Sequence, residues 1–172
     1  MQQKEKSKTI LISIFHYLIS KRLVLYMLPV IFYVMKAGFF QFNPTFGKKS
    51  ENIDKVRHAL SSASADLLVL PEFFATGYQF ASKEEVTGLA EPVPAGETTE
   101  FLIALSQEKG MYIVAGLPER DGDKFYNSAV LTGPEGFIGR YRKTHLFFEE
   151  NLFFAPGDFF IPLAMVGLSI FG

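Results

Sequence analysis

Residues 67–74 read LLVLPEFF, an apolar run closed by Pro71 and followed at once by a carboxylate, Glu72. A short apolar run that stops at proline predicts a buried strand, placed at residues 66–70, because proline brings no N–H to the ladder. Strand ends are where α/β folds present functional groups, so Glu72 is a candidate site residue, set against a solvated strand cap. Just beyond it, Ala75-Thr76-Gly77-Tyr78 forms a glycine-containing loop that can wall a pocket with Tyr78.

Outward from this stretch, the pattern on both sides is that of an α/β domain. Upstream, residues 36–42 (KAGFFQF) read as a second buried strand, broken into a loop by Asn43-Pro44 and Gly47. Ser50 is placed as the cap of a helix over residues 51–64, with Ile53, Val56 and Leu60 on one face. Downstream, Phe101, Leu102 and Leu105 mark the apolar stripe of a helix over residues 98–109 that Gly110 stops, and a strand over residues 111–116 follows. Residues 126–131 and 137–141, joined by Thr132-Gly133-Pro134-Glu135-Gly136, read as a hairpin. Alternating strands and helices that give way to a hairpin predict an α/β fold with a mixed sheet and helices stacked on a face. The doublets Phe39-Phe40, Phe73-Phe74, Phe147-Phe148, Phe153-Phe154 and Phe159-Phe160, where they fall in strands, put one ring on either face, and they are read as a sheet packed on both sides ahead of an aromatic ligand box.

The chain has 172 residues, enough for one core and too few to suggest two full domains. Its formal net charge is -1 and like charges run no further than pairs such as Lys48-Lys49, so nucleic acid is not an expected partner. It contains no cysteine, which excludes a disulfide framework, a thiolate zinc site and a thiol nucleophile. Nothing in the pattern calls for a metal or a cofactor. Residues 1–34 differ in character: two apolar runs, 9–20 and 23–35, are separated by Lys21 and Arg22. Each is shorter than the roughly 20 residues of a spanning helix, and joining them would bury two cations in the bilayer. No small-residue cleavage site follows the apolar run 10–18, so a cytoplasmic protein is expected. Residues 1–34 are therefore expected to lie outside the domain at 35–172, as a mis-assigned start before Met35, with membrane contact through residues 9–35 the less favoured alternative.

A second cluster lies in residues 139–147, GRYRKTHLF. Lys143 follows a strand on which Arg140 and Arg142 alternate with Ile138 and Tyr141, the pattern of an outward basic face. His145 beside apolar residues reads as a structurally satisfied side chain ahead of a ligand or base. Glu149 and Glu150 would ordinarily be a solvated pair, and Pro156-Gly157-Asp158 a turn.

Together Leu70-Pro71-Glu72, Tyr141-Arg142-Lys143-Thr144-His145-Leu146 and Pro156-Gly157-Asp158, with their spacing, resemble the nitrilase superfamily of carbon-nitrogen hydrolases. Met35-Lys36-Ala37-Gly38-Phe39-Phe40-Gln41-Phe42-Asn43-Pro44 is similar to that family's first strand, so the resemblance covers residues 35–172. It implies an incomplete four-layer α-β-β-α sandwich, about half of the family fold, with homo-oligomers left open because the family usually assembles as dimers. It implies a small-molecule amide or nitrile as the substrate of intact relatives. Glu72 would be the general base toward a cysteine thiol and later toward water, and Lys143 the cation at the tetrahedral oxyanion. Glu150, matched ahead of Glu149 on spacing, would position substrate and Lys143, with Tyr78 as a pocket wall beside it. The chemistry requires Glu72 and Lys143 close together, expected at the carboxyl ends of neighbouring strands.

The departure from the family is at the nucleophile. Where the family has a Val-Gly-x-x-Ile-Cys strand, this chain has Val166-Gly167-Leu168-Ser169-Ile170-Phe171. Ser169 is the only nearby hydroxyl, and an unactivated serine is a poor substitute for a thiolate. The expectation is a truncated or degenerate carbon-nitrogen hydrolase, inactive alone; the alternative is a non-catalytic binding protein that keeps the Glu/Lys pocket.

Overall fold

The computed structural model describes residues 35–157; the expectations for residues 1–34, for Asp158 and for residues 159–172 with Ser169 and Phe171 lie outside the described residues. Five strands form one sheet in the order β1-β2-β3-β4-β5: β1 Ala37–Phe39, β2 Leu67–Val69, β3 Tyr112–Asp121, β4 Lys124–Gly133 and β5 Gly136–Arg142. β1, β2 and β3 are parallel neighbours, whereas β3, β4 and β5 run antiparallel, which is the mixed sheet expected from the element order. Among the described residues four helices accompany them: α1 Lys49–Ala59, α2 Lys83–Leu89, α3 Glu97–Lys109 and α4 Glu150–Phe153.

The register explains where the core sits. Leu68, Ile113, Ala115, Leu117 and Val130 point to one face, where they meet Ile53 and Val56 of α1 and Leu102 and Leu105 of α3, all buried. The opposite face carries Phe39, 77% exposed, and Val69, 41% exposed. Among the described residues the helices cover one face of the sheet.

The described phenylalanine doublets lie mostly outside strands. Of those described, only Phe39 lies in a strand; Phe73 and Phe74 are both buried in a turn, and Phe147 and Phe148 are both exposed. The ring faces are set by loop packing: Phe73, Phe80 and Phe154 form a second cluster with Val86, their centroids 5.5–5.7 Å apart.

Several boundaries differ from the sequence expectation for physical reasons. α1 starts at Lys49, with Ser50 inside the helix and no side-chain cap at Lys48. Buried Asn52 ties the start instead, accepting from the Thr45 N–H (2.8 Å) and donating to the carbonyls of Thr45 (2.7 Å) and Ala75 (2.9 Å). β1 is shorter than residues 36–42 because its partner β2 spans only three residues. β3 continues past Gly116 through Pro118, since its antiparallel partner β4 carries the ladder to Asp121 after β2 has ended. On that freed edge the Pro118 carbonyl accepts the Glu91 N–H at 3.1 Å. Helix α2 was not expected, although its signal is present: Ser82 Oγ accepts from the Glu85 N–H while Glu85 returns to the Ala81 N–H, close to a capping box.

The start of α3 is held from outside. Gly96 has no side chain with which to cap, and Glu91 takes over, accepting from the N–H groups of Thr98 (2.7 Å) and Thr99 (3.3 Å) and pairing with Lys49 at 2.7 Å. A Cβ at position 96 would lie 2.7 Å from the Glu91 side chain, so the glycine makes room for its own cap. No helix among the described residues is long and apolar enough to cross a membrane.

Candidate active site

The chain leaving β2 does not stay above its own strand. Gly116 of β3 lets it cross: a Cβ there would sit 2.8 Å from Glu72 Cα, so only glycine admits the backbone so closely. Phe73 takes up the turn with φ of 50°, a left-handed conformation costly for a bulky residue, and its ring is buried against Phe80 and Phe154. Glu72 thereby reaches Asn127 of β4, whose Nδ2 donates to its Oε1 at 2.6 Å.

Lys143 arrives from the other side. Its N–H continues the β4–β5 ladder to the Asn127 carbonyl at 2.8 Å, and its own carbonyl accepts from the Gly157 N–H at 2.9 Å. Gly157 must be glycine here, since a Cβ would collide with the Arg142 carbonyl; the Pro156-Gly157 segment thus packs on the one that carries Lys143. Lys143 Nζ then contacts Glu72 Oε1 at 3.3 Å and Glu150 Oε1 at 3.0 Å, bringing together residues 71 apart in sequence. The expected contact between Glu72 and Lys143 is present, but β2 and β5 are not neighbours; β3 and β4 lie between them. The crossing over Gly116 closes that gap.

Glu150 is the centre of the cluster. Its Oε1 accepts from Tyr78 Oη (2.7 Å), Asn127 Nδ2 (3.0 Å) and Lys143 Nζ, and its Oε2 accepts from the Phe147 N–H at 2.7 Å. Burial pushes its carboxyl up, but the Phe147 N–H, the Tyr78 hydroxyl and the Lys143 charge outweigh this and hold it below the usual range. Burial works against the Lys143 charge too, yet hydrogen bonding to Glu150 and the charges of Glu72 and Glu150 raise its pKa. For Tyr78, burial and the bond to Glu150 both push the phenol up, so it serves as a donor. Glu150 is thus an ionised, fully engaged anchor, while the Glu72 side chain is the open carboxylate, 42% exposed against 6% for Glu150. Glu149 is exposed and makes no contact with the cluster in the bonds described. His145 is exposed, with Nδ1 3.0 Å from the Thr144 hydroxyl.

Sequence reasoning missed Asn127, whose amide bridges two carboxylates that would otherwise repel across the site. Its signal was an amide side chain in the middle of an apolar strand, which needs partners once buried. Arg140 and Arg142 are also corrected: they do not form an outward basic face. Both turn onto Glu119, which is fully buried, Arg140 at 2.5 Å and Arg142 in a two-pronged contact at 2.6 and 3.1 Å. Ser128 Oγ donates to the same carboxylate at 2.6 Å, and the Arg142 guanidinium lies 3.8 Å from the centre of the Tyr126 ring. This network locks β5 against β3 and β4 one residue before Lys143.

Fold and cluster together define an α/β protein in which a carboxylate, a lysine and a second carboxylate share one site at the edge of a mixed sheet. The chain belongs to the carbon-nitrogen hydrolase family, whose sequence profile matches residues 36–171. It is similar to a nitrilase of Pyrococcus abyssi, 49% identical over 128 residues that cover 73% of this chain and 49% of the relative. It is also similar to the omega-amidase NIT2 of Homo sapiens, 34% identical over 140 residues, covering 71% of this chain and 49% of that protein. Among solved structures it resembles an N-terminal amidase, with a TM-score of 0.67, 28% identity and coverage of 72% and 31% of the two chains. The Saccharomyces cerevisiae Nit3 structure, a nitrilase-superfamily member, matches with a TM-score of 0.61, 26% identity and coverage of 72% and 49%. The chain thus spans about half the length of the curated relatives it matches.

Proposed function

We propose that Glu72 and Lys143 are the general base and the oxyanion-binding cation of an amide- or nitrile-hydrolysing site, with Glu150, Asn127 and Tyr78 holding them in place. The observation that carries this reading is the convergence of Glu72 and Lys143 on one point from strands that are not neighbours. An open carboxylate accepts a proton, and a lysine beside it meets the negative charge that develops on a carbonyl oxygen or nitrile nitrogen. Relatives named nitrilase and omega-amidase support the same substrate class.

The 172-residue chain has no cysteine, so it lacks the thiolate that would attack the carbon. We read it as carrying the base and the cation without the nucleophile, and therefore as inactive alone. A second reading rests on the same observation: an intact polar cluster without a nucleophile is suited to bind amides without turning them over. Both are tested by following ammonia release from small amides, carbamoyl amines and nitriles. No release above background is expected. Release at an ordinary enzymatic rate, abolished by Ser169→Ala, would mean that serine has taken over and that the inactive reading is wrong.

A further inference from the structure

We propose that the cavity beside Glu150 receives the acyl side chain of the substrate, and that this group is uncharged and apolar, with a planar aromatic ring as the best fit. The proposal rests on the reading of Glu72 and Lys143 as the reacting centre. The cavity, of about 680 Å³, is lined by Phe73, Phe80, Phe147, Phe148 and Phe154, and meets the cluster through Tyr78 and Glu150. Glu72 and Lys143 do not line it. It therefore lies to one side of the reacting point, where the part of the substrate that does not react would extend.

Its walls decide what fits. Phe73 and Phe80 pack edge to face, as do Phe80 and Phe154, which makes a rigid aromatic floor. Phe147 and Phe148 stand 74% and 76% exposed above it, their rings 6.4 Å apart and unburied by any described residue. Aromatic surface in this position gains most from an apolar ligand that removes it from water.

Charge settles the rest. The ionisable carboxylates of the lining are Glu149 and Glu150, and the lining includes no Lys, Arg or His. A carboxylate on the acyl chain would be desolvated beside ionised Glu150, whose neighbouring cation, Lys143, is outside the lining and already paired with Glu150 and Glu72. An ammonium group gains little, because Glu150 is already engaged by Tyr78, Asn127, Lys143 and the Phe147 N–H, leaving exposed Glu149 as its remaining anion.

The test uses the 172-residue chain and NMR-monitored titrations with three probes of one amide head: phenylacetamide, succinamate and β-alaninamide. Phenylacetamide is expected to bind about tenfold more tightly than either charged amide, the order expected when a charge must be desolvated without a partner. Phe147→Ala, at an exposed ring whose loss leaves the core untouched, is expected to weaken phenylacetamide about fivefold and the charged amides little. Lys143→Met is expected to weaken all three alike, because it acts on the shared head. Equal binding of all three probes with equal dependence on Lys143 would overturn the side-chain class and leave the reacting centre standing. Phenylacetamide binding that depends on Phe147 but not on Lys143 would keep the aromatic cavity and overturn the reacting centre. Absence of saturable phenylacetamide binding would overturn the proposal outright.

Discussion

Arg142→Leu is expected to destabilise the folded chain by about 3 kcal/mol, read as a lower midpoint in urea with little change of slope. Glu119 is fully buried, and Arg142 supplies two of its charge-assisted contacts while also reaching Asp121 at 2.7 Å. Leucine keeps part of the packing on Tyr126 but strands the carboxylate with Ser128 and the half-exposed Arg140. The cost is that of an under-compensated buried charge, larger than the net worth of the pair itself. Arg57→Ala is the comparison: Arg57 pairs with Asp54, both side chains more than half exposed, and lies 5.2 Å from the centre of the Phe101 ring, so its loss should lower the midpoint far less than Arg142→Leu.

Asn127→Asp is nearly isosteric and is expected to cost about 2–3 kcal/mol at neutral pH, since it replaces a shared donor by a third carboxylate between Glu72 and Glu150. Asn127 Nδ2 lies 2.6 Å from one carboxylate oxygen and 3.0 Å from the other, so an ionised Asp would face both at hydrogen-bond distance. Its pKa in the folded chain would rise well above that of an unfolded Asp. The sign follows from linkage: the folded state then binds the proton more tightly, so the penalty is complete above the folded pKa and fades as pH falls toward the unfolded one. Denaturation curves over a pH series should show the variant gaining on the parent as pH is lowered through that window. A pH-independent difference would mean that the position senses no carboxylates.

How much of this was legible in sequence depends on how local the cause is. The strands read at residues 66–70 and 111–116 and the hairpin of residues 126–131 and 137–141 announce themselves through apolar runs bounded by turn residues, whereas the continuation of β3 to Asp121 depends on its pairing with β4. Gly110 stops α3 in a left-handed cap with φ of 64°, as its position after Lys109 suggests. Glu72, Lys143 and Glu150 were identifiable from short patterns around them, and their contact was expected. The route between them was not, because it depends on the crossing over Gly116, a tertiary close approach with no local signature. Arg140 and Arg142 were misread for a related reason. Alternation says which residues share a face, and only a buried Glu119 two strands away says which face is inside. The phenylalanine doublets say little about ring faces because those at 73–74 and 147–148 lie outside strands, where successive rings need not alternate.

Glu72, Lys143 and Glu150 are expected to behave as one charged unit. The direct measurement is the titration of the Lys143 side chain by nitrogen-15 NMR in the 172-residue chain and in its Glu72→Gln and Glu150→Gln variants. The expected midpoint for the parent lies above the ordinary lysine value of 10.5, and each variant should lower it, because each removes an anion that favours the ammonium form. A midpoint at the ordinary value that neither substitution moves would contradict the account, since Lys143 would then share no site with either carboxylate.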